Sequence, residues 1–273
     1  MFEQVWRRAG RVACATVVAT VAASSAAPAA EDLELVQPGE LHVALNGDMP
    51  GTGLTDDGKL KGLDGEIMSW VAGQLGLEVK PQMMEWASEI ESVKSGRVDA
   101  MHGMMAWTKP REKVLNISDP IYYVSPVITQ PEGQNWNTVE DLKGSTFGTI
   151  TGFALIPDLK RIPGLDLKLY DTTDAAIRDL MAGRVDAIFA DPPLIHWAIK
   201  QNPDWPIHYT PIKEYHPDYP VLTGRYGVVF GLNPEADNLV EAVNAQIAKL
   251  WESCKNWEIA KTYDMAQRNW FTP

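Results

Sequence analysis

The feature that most constrains this chain is a pentapeptide that occurs twice. Gly-Arg-Val-Asp-Ala stands at 96–100 within SGRVDAM and again at 183–187 within AGRVDAI, 87 residues later. Each copy follows a segment of helical character and opens an apolar run of strand type. A glycine at that point suits a helix C-cap in the left-handed region, after which the apolar residues enter a sheet. Helix-glycine-strand turns are common in α/β proteins, and five residues alone are weak proof of duplication. The shared place of the two copies in similar helix-strand units is what makes them informative.

The surrounding pattern agrees. LHVAL (41–45) reads as a strand, and GLDGEIMSWVAGQLG (62–76) as a helix ending at Gly76, with Ile67, Val71 and Leu75 on one face. LEVKPQMM, EIESVKSG and VDAMHG follow as strand, helix and strand. After the linker-like PEGQNWN (131–137), the order recurs as STFGTI, a Pro-bearing helical segment, LDLKLY, TTDAAIRDLMAG and VDAIFA. Such alternation builds parallel sheets covered on both faces. A last stretch adds the strand YGVVF (226–230) and the helix ADNLVEAVNAQIAKLWESC, which has no counterpart in the middle segment. The simplest topology is two α/β lobes: 31–125 begins the first, 126–221 forms the second, and 222–273 returns to complete the first. Two crossovers then flank a cleft, where ligands bind outside the carboxyl ends of strands.

Residues 1–30 read as a signal peptide. A basic start with Arg7, Arg8 and Arg11 precedes the small-residue apolar run VACATVVATVAASSAA, and Ala27-Pro28-Ala29 supplies a cleavage site. The run is too short and too rich in Ala and Ser for a membrane anchor. No Phe-Leu follows Arg7-Arg8, and Cys14 lacks the residues that precede a lipidated cysteine. Processing leaves 21 basic against 35 acidic residues, a net charge of -14. That balance disfavours nucleic acid and anionic membrane as partners. Cys254 alone remains, so no internal disulfide forms, and a buried thiol in a helix is expected.

Motifs for catalysis and cofactors are absent. None of His42, His102, His196, His208 and His216 has a helical metal-site pairing, and neither GxxxxGK, GxGxxG nor G-x-S-x-G occurs. No cofactor or metal is expected. Asp56-Asp57-Gly58 reads as a hairpin turn. Backbone amides at Thr151-Gly152 are candidates to face an anion. Two charged residues stand out. Arg111 follows Trp107-Thr108-Lys109-Pro110, where Thr108 suits a cap and Pro110 a first helical turn, an arrangement able to clamp a carboxylate. Its bland alternative is a surface arginine. Asp191 ends the second repeat's strand in AIFADPPLIHW. It serves either as partner of a ligand ammonium or as cap of the next helix.

DDGKLKGLDGEIMSWVAGQLGL, SGRVDAMHGMMAWTKPREKVLNISDPIYY, VEDLKGSTFGTITG, MAGRVDAIFADPP and YGVVFGLNPEADNLVEAVNAQIAKLW, in that order, make the chain resemble the bacterial extracellular solute-binding proteins of family 3. These are polar amino-acid receptors of ABC transporters, and the likeness runs over roughly residues 35 to 272. The resemblance implies a periplasmic-binding-protein-like type II fold, with two α/β lobes joined by two hinge strands and closing on a small solute. It implies a periplasmic, monomeric receptor that docks on an inner-membrane permease. By position, Arg111 matches the arginine that grips the α-carboxylate and Asp191 the acid that receives the α-amino group. Ala106 stands where Ser or Thr is usual, and Phe153-Ala154 replaces a similar hydroxyl after Gly152. The loop GDMPGTG (47–53) replaces aromatics that sandwich the ligand side chain. The candidate ligand-binding set is Arg111, Asp191, Ala106, Met104, Thr108, Gly152, Phe153, Ala154, Asp48, Trp86 and Trp107. Glu66 and Glu85 are further candidate neighbours, and Trp107 or Phe153 is expected to supply the missing stacking surface.

The favoured ligand is an amino acid or related zwitterion. Two other classes remain open: a dehydratase of cyclic carboxylates, using Arg111 with Asp191, Glu66 or His102 as acid or base, and a sensory or accessory binding module.

Overall fold

Residues 33–271 are described by the structure, a computed structural model; the expected signal segment, with Cys14, lies outside them. The first sheet is built from β1 (Glu40–Leu45), β4 (Glu78–Met83), β5 (Ala100–Met101), β6 (Asn116–Ile117) and β14 (Gly231–Leu232), in the order β4-β1-β5-β14-β6. The second uses β8 (Val127–Pro131), β9 (Thr146–Ile150), β10 (Asp166–Tyr170), β11 (Ala187–Ile188) and β12 (Ile207–Pro211), in the order β10-β9-β11-β8-β12. In each sheet the first three strands are parallel, as the alternation predicts. The fourth and fifth pair antiparallel, which it did not. The fourth strand is the one that arrives directly from the hinge. It enters beside β5 or β11 without a crossover helix, so nothing requires it to run parallel.

The repeated pentapeptide does the same work in both lobes. Helix α2 (Trp86–Lys94) ends with Gly96 at φ 66, and α4 (Thr173–Met181) with Gly183 at φ 68. In the first, Gly96 N–H donates to Val93 O and Arg97 N–H to Ser92 O; in the second, Gly183 donates to Leu180 and Arg184 to Asp179. Both are Schellman caps, which only a left-handed residue after the helix allows. The aspartate then ties down the start of the neighbouring strand. Asp99 accepts from His42 N at 2.7 Å and Val36 N at 2.6 Å, and Asp186 accepts from Thr146 N at 2.7 Å.

Between the lobes run β7 (Tyr122–Val124) and β13 (Tyr226–Val228), paired antiparallel with Tyr226 opposite Val124 and Val228 opposite Tyr122. The linker-like PEGQNWN is tied down by side-chain hydrogen bonds. Gln130 holds it through Trp136 N at 2.8 Å and Trp136 O at 3.0 Å.

Helix α1 (Leu63–Gln74) buries Ile67, Met68, Val71 and Ala72 completely against the first sheet and α7 (Asp237–Glu252). Each large apolar side chain so buried contributes about 1.5–3 kcal/mol. Ahead of α1, the hairpin of β2 (Gly53–Leu54) and β3 (Leu60–Lys61) turns through Asp56-Asp57-Gly58. Gly62 then enters the helix at φ 90, with a would-be Cβ 2.6 Å from Gly51 O. The final helical stretch breaks at Cys254, whose φ of 55 separates α7 from α8 (Lys255–Thr262). That thiol is half-exposed, not buried, because it sits in the bend and not on the packed stripe.

Candidate functional site

Beyond β5 the chain reaches a single antiparallel bridge between Ala106 and Val228. Trp107 N–H donates to Gly227 O and Val229 N–H to Met105 O, each at 2.9 Å, so Ala106 is the non-hydrogen-bonded member of its pair. Its own N–H and C=O therefore point away from Val228. The carbonyl accepts from Arg111 Nη1 at 2.8 Å, which fixes the guanidinium at the cleft wall. Arg111 also stacks 5.4 Å from the centre of the Trp86 ring. Burial pushes this arginine down to about 10, while Asp191 and then Tyr226 pull it back up, so it is cationic at neutral pH.

The helix expected from Pro110 is only a 3-10 turn, Arg111–Lys113. Its N-cap is Pro110, not Thr108, whose hydroxyl nevertheless accepts from Arg111 N at 3.4 Å. Three residues align too few peptide dipoles for a helix-terminus anion site, so the guanidinium itself must hold any anion. The amides after β9 are also less free than expected. Thr151 N–H donates to Tyr170 O and Phe153 N–H to Ile150 O.

Asp191 sits at the N-cap position of α5 (Pro192–Gln201) yet makes no side-chain cap bond. Its carboxylate instead accepts from Tyr226 Oη at 3.3 Å. Burial pushes Asp191 up to about 7, against Arg111 and the Tyr226 hydroxyl, which favour the ionised form.

Arg111 and Asp191 line one cavity of about 20 Å3 from opposite lobes. Of the other sequence candidates, Trp86, Met104, Ala106, Phe153 and Ala154 share it. A second cavity of about 100 Å3 continues past Trp86, Gly103, Met104, Phe153 and Asp191 to Asp48, Glu85 and Asp171. Gly152 flanks the site, its would-be Cβ 3.3 Å from Trp86 Cδ1. Trp107 and Thr108 belong elsewhere. They line an outer groove of about 830 Å3, with neither Arg111 nor Asp191 in it, and Trp107 is 43% exposed. The aromatic residues lining the first cavity are Trp86, Phe153, Phe189 and Tyr226, and Trp107 is not among them. Glu66 is turned away to accept from the Tyr263 hydroxyl. His102 is fully buried outside both cavities, and burial pushes it down to about 3.

Sequence reasoning missed the supports. Asp64, in the first turn of α1, is fully buried and accepts from Met104 N at 2.6 Å and Tyr122 Oη at 2.7 Å. It holds Met104 at φ 56, a left-handed conformation that costs a residue with a side chain about 1–2 kcal/mol. Burial pushes Asp64 up to about 6 despite these bonds. The two hinge tyrosines thus reach opposite ways, Tyr122 to Asp64 of the first lobe and Tyr226 to Asp191 of the second. The available signal was an aspartate among apolar residues at a helix start and a tyrosine opening each hinge strand.

The sequence profile of the bacterial extracellular solute-binding proteins, family 3, matches residues 41–272. The chain belongs to that family. This family 3 protein is 31% identical to the L-cystine-binding protein TcyJ of Escherichia coli (strain K12) over 158 residues. That match covers 56% of this chain and 59% of TcyJ, about three fifths of the relative's length. A probable histidine-binding protein of Neisseria gonorrhoeae is 25% identical over 235 residues, 84% of this chain and 82% of that one. Among solved structures, a Salmonella typhimurium periplasmic binding protein of high arginine specificity superposes with a TM-score of 0.68 at 25% identity. The superposition covers 85% of the family 3 chain and 99% of that structure. Likeness of this kind extends over both lobes. Among the described residues, no helix is long and apolar enough to cross a membrane.

Proposed function

We propose that this protein is the periplasmic solute receptor of an ABC importer, holding an amino acid or related zwitterion between its lobes and delivering it to an inner-membrane permease. The observation that carries this is the placement of Arg111 and Asp191, from opposite lobes, on one cavity with no ion pair joining them directly. A ligand carboxylate meets the guanidinium fork and the Ala106 N–H, while its ammonium meets Asp191 and the Tyr226 hydroxyl. Each lobe then holds one end of the same molecule. The lobes in this reading are 31–125 with 222–273, and 126–221.

The cavity of about 20 Å3 is far smaller than the roughly 300 Å3 and more of ordinary ligand pockets, so entry requires the lobes to part. Hinge strands β7 and β13 are the natural axis. Bridging by the ligand shifts the open-closed equilibrium toward closure by the difference in its affinity for the two states. Of the three acid or base candidates, His102 and Glu66 lie outside both cavities, and Asp191 alone reaches them.

Relatives named for cystine, histidine and arginine set the composition of a thermal-shift screen, in which a selective ligand raises the melting temperature by mass action. Titration calorimetry of Arg111→Ala against the ligand so found is the test. Loss of one partner of a desolvated charge pair costs about 2–5 kcal/mol, a weakening of about 30-fold or more. Unchanged affinity would sink the assignment of the cleft.

A further inference from the structure

The end of the chain makes a further connection between the lobes, besides β7 and β13. Helix α8 closes in a Schellman turn, where Asp264 N–H donates to Lys261 O at 3.1 Å and Met265 N–H to Ala260 O at 2.8 Å. Asp264 holds the left-handed place in that turn, at φ 56, a position that favours glycine. Beyond it, Met265 and Trp270 are buried in the core of the first lobe. The 3-10 turn Arg268–Trp270 runs on to Phe271, whose ring lies 5.9 Å from that of Tyr122 in β7. This strap of residues 264–271 therefore moves with the first lobe.

From the strap, side chains reach α5 of the second lobe. Asp264 pairs with Lys200. Gln267 Nε2 lies 3.5 Å from His196 Nδ1, and the Trp270 ring meets the His196 imidazole edge-on, with centroids 6.3 Å apart. His196 and Lys200 are one helical turn apart, so they share a face of α5. His196 is anchored within its own lobe by the Tyr209 hydroxyl of β12, 3.0 Å from Nδ1. At the start of the same helix, Asp191 is the N-cap residue. One helix thus carries both the carboxylate of the cleft and the partners of the strap. Neither His196, Lys200 nor any strap residue lines either cavity.

We propose that residues 264–271 are a latch for the closed cleft, holding α5, and with it Asp191, against the first lobe without touching the solute. This role rests on the reading of a cleft that opens about β7 and β13 to admit its ligand. Rotation that parts Asp191 from Arg111 carries His196 and Lys200 along, because the helix between them is continuous. The strap, rooted in the first lobe, does not follow. Its contacts with α5 are made in the closed form and given up on opening, so they raise the closed population whatever solute is bound. Apparent affinity scales with the fraction of protein in the binding-competent state, and the latch strengthens the binding of every solute by one common factor. It also gives a reason for aspartate at a left-handed position. Glycine would relax the backbone there but remove the carboxylate that meets Lys200.

Lys200→Glu sets two carboxylates against each other in place of the ion pair, and both positions are half-exposed, so the fold tolerates the change. L-arginine, L-histidine and L-cystine are the probes, each titrated calorimetrically. The substitution should weaken every probe that binds by about threefold to tenfold, through a lost exposed pair and a new repulsion. Adding Asp264→Asn, which keeps a residue tolerant of the left-handed conformation, should recover most of that loss. Unchanged affinity in Lys200→Glu overturns the latch, as does a loss that Asp264→Asn fails to recover. A factor that differs between probes places the effect in the cleft and overturns it too. Carbodiimide coupling separates latch from clamp, since it joins a lysine to a carboxylate only where the two touch. If no probe binds, the zwitterion clamp fails and the ligand-free protein decides the strap. An isopeptide bond between Lys200 and Asp264 then supports the link between lobes, and its absence overturns it.

Discussion

Replacing Asp64 with alanine tests how the cleft floor is held. The substitution strands two buried donors, Met104 N–H and Tyr122 O–H. Each such orphan costs about 1–3 kcal/mol, so about 2–6 kcal/mol is lost where Asp64 is neutral. Ionisation offsets part of that loss. Burial raises Asp64 from 3.8 to about 6 in the folded protein, so its contribution is fully present below pH 3.8 and is lost as pH rises through about 6. Between pH 5 and pH 8 the wild type forfeits about 1.5 kcal/mol from this group by linkage, whereas the variant forfeits nothing there. The destabilisation caused by Asp64→Ala should therefore shrink by about 1.5 kcal/mol across that interval. Urea unfolding followed by tryptophan fluorescence at the two pH values measures it, provided the slope with denaturant stays constant. A cost below about 1 kcal/mol at pH 5, or one that does not change with pH, would refute the role given to this carboxylate.

Three further outcomes follow from the same geometry. Ligand affinity should fall below pH 7 by up to about tenfold per unit, because Asp191, raised by burial to about 7, must be ionised to receive an ammonium; calorimetry from pH 5 to 8 on wild type and Asp191→Asn checks this. Tyr226→Phe removes the hydroxyl that favours the Asp191 anion and should weaken binding by about fivefold to tenfold at pH 7, with a smaller effect at pH 8; an effect equal at both values would point to packing instead. Gly62→Ala would set a Cβ 2.6 Å from Gly51 O at φ 90, and a loss of about 2 kcal/mol or more is expected by thermal melting; a change under about 0.5 kcal/mol would show that the β2–β3 hairpin yields freely.

Much of the fold was legible in the chain. The two Gly-Arg-Val-Asp-Ala tokens marked equivalent Schellman caps, because a left-handed residue after a helix leaves glycine as the favoured choice. The apolar spacing of Ile67 and Val71 marked the buried face of α1. Less was legible in the site. Trp107 and Thr108 precede Arg111 in sequence but line the outer groove; alternation along the strand-like run through Ala106 accounts for Trp107, while Thr108 already belongs to the turn that follows. The Thr151-Gly152 amides looked open to a ligand because sequence does not show that Tyr170 and Ile150 carbonyls already occupy the flanking N–H groups.

Sequence by itself determined the two-lobe α/β plan and the family, and singled out Arg111 and Asp191 as candidates. Those properties depend on local periodicity, capping chemistry and residue type, all of which are written along the chain. Tertiary structure decided the rest. It set Asp191 against Tyr226 instead of its helix, put Asp64 beneath Met104, and gathered Asp48 and Glu85 on one cavity. Electrostatic and hydrogen-bond energies depend on distance and burial, and residues 35 to 40 positions apart acquire both only when the sheets bring them together.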